Sequence, residues 1–99
     1  MEAELIYDHK RFYPNGDISE ITIWKVGKSK DKPYGYKYSL AYIRKGKRII
    51  GYDNAERKGD HRHYENREHP YIFKDVDQLF KDFNEDIRRF KDESKKRET

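Results

Sequence analysis

At 99 residues the chain is the size of one domain, and it contains no Cys, which excludes disulfides and thiolate metal sites. Apolar residues make up only 33% and charged residues 42%, but 15% are aromatic, which argues against disorder and makes Tyr and Phe the main core fillers. The net charge of +4 is unevenly spread: from Lys28 to Arg62 eleven Lys and Arg stand against four acids, while from Asp75 to Thr99 seven stand against eight, so the middle of the chain is the candidate anion-binding surface.

The opening Met1-Glu2-Ala3-Glu4 lacks the basic and apolar regions of a signal peptide. No apolar run approaches the roughly 20 residues needed to cross a bilayer. A cytoplasmic protein with no membrane partner is therefore expected. A first strand is expected from about Glu4 to Phe12, where Leu5 and Tyr7 alternate with polar neighbours. Pro14-Asn15-Gly16-Asp17 is a turn signal, because Pro fixes φ and Asn-Gly tolerates positive φ. Ile18 to Val26 follows as its hairpin partner, rich in β-branched residues and carrying Trp24.

Gly27 to Pro33 reads as a polar, Lys-rich loop. Tyr36 to Arg44 is the clearest strand: Tyr36, Tyr38, Leu40 and Tyr42 share one face, and Lys37, Ser39, Ala41 and Ile43 the other. Lys45-Gly46-Lys47 turns the chain into a fourth strand, Arg48 to Tyr52. Residues 53–70 read as one long connection, a length uncommon in compact domains unless it is functional or disordered. Tyr71-Ile72-Phe73 adds either a short strand or an extended lead-in.

A helix is expected over about 75–92. Asp75 is a good N-cap, with Gln78 completing a capping-box-like pair. Val76, Leu79, Phe80, Phe83, Ile87 and Phe90 fall on one face at helical spacing. Acids early and Arg88, Arg89 and Lys91 late match the macrodipole. The predicted fold is a single α+β domain. An antiparallel meander of four strands, five if residues 71–73 pair, covers about 4–52 and carries one C-terminal helix on one face. A frayed charged tail is expected over 93–99. Aromatics left on the other sheet face make a homodimer through that face an expectation.

The chemistry concentrates in Lys58-Gly59-Asp60-His61-Arg62-His63-Tyr64. Histidine exchanges protons near neutrality, and fixed cations beside it suit a phosphate. Three readings compete for His61 and His63. As acid and base they would serve cleavage of RNA by its own 2′-hydroxyl, with Arg62 and Lys58 stabilising phosphate charge and Tyr64 stacking or donating. As metal ligands they would be joined by Asp60 or Asp53. As structural groups they would simply be hydrogen-bonded or exposed. Asp53, in Gly51-Tyr52-Asp53-Asn54, serves either an Asx turn or the orientation of a histidine. Lys37, Arg44, Lys47, Arg48 and Arg57, interleaved with tyrosines, form the candidate nucleic-acid surface, although strand packing explains most of those tyrosines. His9 and His69 receive no role. No Gly-rich phosphate loop, Gly-x-Ser-x-Gly elbow or His-Glu-x-x-His zinc motif is present, so neither a cofactor nor a metal is assigned.

The ordered pieces Gly51-Tyr52-Asp53-Asn54, Lys58-Gly59-Asp60-His61-Arg62-His63-Tyr64 and Tyr71-Ile72-Phe73 resemble the TumE family of prokaryotic toxins. Ala3-Glu4-Leu5-Ile6-Tyr7, Ile21-Thr22-Ile23-Trp24 and the helix from Asp75 fit as well. The resemblance implies a small cytoplasmic toxin neutralised by a cognate antitoxin encoded beside it. Together with the residues above, it gives two functional expectations: a metal-independent ribonuclease using the histidine pair, or a non-catalytic module that binds nucleic acid or protein.

Overall fold

The computed structural model describes residues 3–55 and 59–97. Among these residues six strands form one antiparallel sheet in sequential order. They are β1 (Glu4–Phe12), β2 (Ile18–Lys25), β3 (Tyr36–Arg44), β4 (Lys47–Asp53), β5 (His61–Tyr64) and β6 (Arg67–Pro70). One helix among the described residues, α1 (Val76–Arg97), lies across one face. The class matches the expectation; the strand count of four or five does not.

The early turns form as their residues dictate. Asn15 Oδ1 accepts the Asp17 N–H at 3.0 Å, and Gly16 takes φ 92°. Lys45 and Gly46 both have positive φ, the requirement of a two-residue hairpin whose twist matches its strands. At the other end Asp75 Oδ1 accepts the Gln78 N–H at 2.7 Å and caps α1.

The two extra strands occupy the segment expected to be a loop. Their sequences, His-Arg-His-Tyr and Arg-Glu-His-Pro, lack apolar alternation, so nothing in their periodicity marks a strand. The ladder from β4 supplies the template instead, pairing Asp53 with His61 and Ile50 with Tyr64. Tyr71-Ile72-Phe73 is an extended lead-in, with Phe73 buried and stacked on Tyr38 at 5.4 Å. The helix also runs past its expected end near 92. Its last turns are held by Tyr64 Oη donating to Glu93 at 3.2 Å and by Arg44 Nη1 donating to Ser94 Oγ at 3.2 Å.

The core sits between α1 and the strands. Ile21, Ile23, Tyr38, Leu40, Tyr42, Ile50 and Tyr52 face Leu79, Phe83, Ile87 and Phe90. This is the tyrosine face of β3 and the apolar stripe of the helix, as their periods require. A core rich in tyrosine needs acceptors for its hydroxyls. Tyr38, Tyr52 and Tyr71 each donate to a carboxylate at 2.5 Å, from Asp60, Asp86 and Asp82 respectively, and Tyr42 donates to Asp17. Burial first, and the carboxylate next, push all four phenols far above the ordinary tyrosine range. They are permanent donors at any physiological pH.

Candidate functional site

β5 sorts the histidine run onto two faces. Successive side chains of a strand point opposite ways, so Asp60, Arg62 and Tyr64 turn toward the helix while His61 and His63 turn to the open face. Arg62 donates from Nε to Asp86 Oδ2 at 2.6 Å and from Nη2 to Asp86 Oδ1 at 2.8 Å. Asp86 is 5% exposed, so this two-pronged pair joins β5 to α1 beneath the helix. Tyr64 reaches Glu93 and Asp60 accepts from Tyr38. Three residues expected to act with the histidines therefore belong to the packing that holds β5 in place.

On the open face, strand register assembles a cluster. Asp53 of β4 is the cross-strand partner of His61, and Gly51 is that of His63. His61 Nε2 lies 2.8 Å from Asp53 Oδ1, and its Nδ1 lies 3.2 Å from the Gly59 carbonyl. Each ring nitrogen of His61 thus faces an acceptor, and a neutral ring can donate to only one of them. His63 Nε2 is 3.9 Å from Asp53 Oδ2, beyond hydrogen-bond range. The two rings stand nearly perpendicular with centroids 5.0 Å apart. Their side chains are 11% and 17% exposed, enough to be reached from solvent on one side.

Charge and size tune His63. Burial first, and the Arg48 cation next, hold its pKa below the ordinary imidazole value of 6.5, so the ring is neutral at pH 7. Gly51 makes room for that cation. A Cβ there would sit 2.9 Å from Arg48 Cδ, so the Arg48 stem lies across the glycine toward the strand that carries His63. Lys37 stands exposed on the same face, at the side of a cleft of about 370 Å3 whose lining includes Thr22, Trp24, Ser39, Asp53 and His61.

The other predicted cations are placed differently. Arg44 is bound to Asp17 at 2.9 Å and lies over the Phe90 ring on the helix side. Lys47 is exposed beside the β3–β4 hairpin turn, away from the cluster's row. Lys58 and Arg57 lie outside the described residues. Trp24, Thr22 and Ser39 were missed as site residues. Their signal was the period of two: Ser39 was already on the face opposite the tyrosines, and Trp24 shares it through its pairing with Lys37. Asp53, His61 and His63 have one donor atom each within 4.8 Å of the others, so this trio, with Asp53 and not Asp60, is the set among the described residues that could share a metal ion.

A small α+β domain with a histidine–carboxylate cluster on the uncovered face of its sheet is the class that this geometry defines. The family model described as Toxin TumE matches residues 2–91, and the chain belongs to this toxin family. It is therefore a toxin of a toxin–antitoxin system, and an antitoxin is its implied partner. No curated protein and no solved structure matches the chain. Among the described residues no helix is long and apolar enough to cross a membrane.

Proposed function

We propose that this toxin acts as a metal-independent ribonuclease, with His61 and His63 as its proton-transfer pair and Asp53 as the orienting carboxylate. The observation that carries the reading is the cluster itself: one imidazole bonded to a carboxylate and a second, neutral one packed beside it near a cation, on the face the helix leaves open. His63, neutral at pH 7, takes the proton from a ribose 2′-hydroxyl. The freed oxygen attacks the adjacent phosphorus, and the bond from phosphorus to the 5′-oxygen breaks. His61, held at Nε2 by Asp53, is the acid of the pair and protonates that leaving oxygen. The products are a 2′,3′-cyclic phosphate and a 5′-hydroxyl, so the proton count closes without a metal. Arg48 and Lys37 supply positive charge for the phosphate oxygens.

The test is incubation of the purified toxin with RNA in excess EDTA. Cleavage yielding cyclic phosphate ends, abolished in His61→Ala and His63→Ala, is the expected result. Cleavage that survives both substitutions overturns the assignment of the pair. Cleavage that requires added divalent metal transfers the trio to a metal site. Binding of RNA without cleavage leaves the non-catalytic reading.

A further inference from the structure

We propose that Trp24 is a stacking platform that seats one nucleobase of a single-stranded RNA beside the histidine cluster. The inference rests on the ribonuclease reading of that cluster and names the form of its substrate. Across β2 to β5 one row of cross-strand partners runs Thr22, Ser39, Asp53, His61. Three strand spacings separate its ends, roughly 14 Å. Trp24 and Lys37 form the next pair along β2 and β3, so they stand at the far side of the same cleft from His61. The cleft volume of about 370 Å3 is at the small end of the range for sites that take a single small molecule, about 300–1,000 Å3. That suits one nucleotide unit and not a duplex.

Nothing in the fold calls for this tryptophan. It lies outside the core cluster and on the face away from the helix. Among the described residues its ring has no aromatic or cation partner and its indole N–H no acceptor. The Thr22 and Ser39 hydroxyls and the Lys37 ammonium are equally without hydrogen-bond or ion-pair partners there. A flat aromatic surface, two hydroxyls and a cation, all unspent and converging on one cleft, match the needs of a nucleotide. The base stacks on the indole, its polar edge meets the hydroxyls, and a phosphate meets the lysine. A duplex hides its base faces within its own stack, which restricts the substrate to single strands.

Trp24 is the sole tryptophan, so its fluorescence reports on this site alone. A single-stranded oligoribonucleotide with 2′-O-methyl riboses, which cannot be cleaved by this chemistry, is titrated into the toxin. Saturable quenching is expected, with none from a duplex of the same sequence or from an abasic strand of equal length. With cleavable RNA, Trp24→Ala acts chiefly on KM, raising it about 5- to 150-fold, the span of one lost base stack. Trp24→Phe recovers part of the loss, which a mere folding defect does not produce. Equal quenching by duplex or abasic strand overturns the inference, as does quenching only by an antitoxin. Cleavage with unchanged KM in Trp24→Ala overturns it while leaving the ribonuclease reading intact. Base-dependent quenching without any cleavage removes that reading and leaves the base platform.

Discussion

The two faces of the sheet solve opposite problems with the same kinds of residue. Under the helix, buried charges and phenols are matched: Arg62 with Asp86, Arg44 with Asp17, and the hydroxyls of Tyr38, Tyr42, Tyr52 and Tyr71 with carboxylates. On the open face, Lys37, Thr22, Ser39 and Trp24 are unmatched among the described residues, and Asp53 holds His61 at 2.8 Å with His63 3.9 Å away. Burial forces pairing, because an unpaired polar group away from water costs several kcal/mol. A face left to solvent carries no such requirement, so groups can stand ready for a ligand. β5 belongs to both faces at once. Its even-numbered residues anchor it to the helix, and its odd-numbered ones present the chemistry.

Substitutions along β5 break that comparison most sharply. His63→Ala should lower RNA cleavage by about 10²–10⁴-fold, the worth of one positioned acid or base, while thermal unfolding changes little; a large drop in Tm would place His63 in the structural set. Arg62→Ala, one residue away, should do the reverse. It removes the two-pronged partner of the buried Asp86 carboxylate, leaving it Tyr52 and Arg89, at a cost of about 1–3 kcal/mol, read as a lower urea midpoint. Equal stability to the parent protein would show that the pair does not hold β5.

The remaining two effects are smaller and sharpen the division. Asp75→Ala removes the helix cap and should cost about 1 kcal/mol, weakening the covering layer without altering the pH profile of cleavage. Arg48→Ala tests the tuning of His63. Burial and Arg48 both depress that pKa below 6.5, and the ring acts as a base only when unprotonated. Activity should therefore rise with pH through a pKa lying below 6.5. Removing Arg48 should shift this acid limb to higher pH, part of the way toward 6.5, because burial remains; Arg48→Lys should leave it near its original place. A limb that does not move would separate Arg48 from His63.

Much of the covered face could be read from the chain. Tyr38, Leu40 and Tyr42 at period two, and Leu79, Phe83, Ile87 and Phe90 at helical spacing, point to one shared core, and they form it. Asp86 was not legible: a carboxylate within an apolar stripe declares no partner, and its partner lies 24 positions away on a strand with no strand signal. The candidate site was half legible. His61, His63 and Asp53 stood out by residue type, but so did Arg62 and Tyr64, and a loop offers no rule for separating them. Trp24 carried a readable face assignment but read only as a strand former.

By itself the sequence determined the class of fold, the first four strands, the start of the helix and the family resemblance that the match over residues 2–91 established. These depend on local periods, turn chemistry and motif order, which adjacent residues specify. Only the tertiary structure decided that residues 61–70 form two more strands, that Asp53 lies opposite His61, and that Arg62 turns away from it. The reason is register. A strand with no apolar alternation takes its facing from the neighbour it pairs with, and a shift of one position would exchange the histidines with the arginine and the tyrosine.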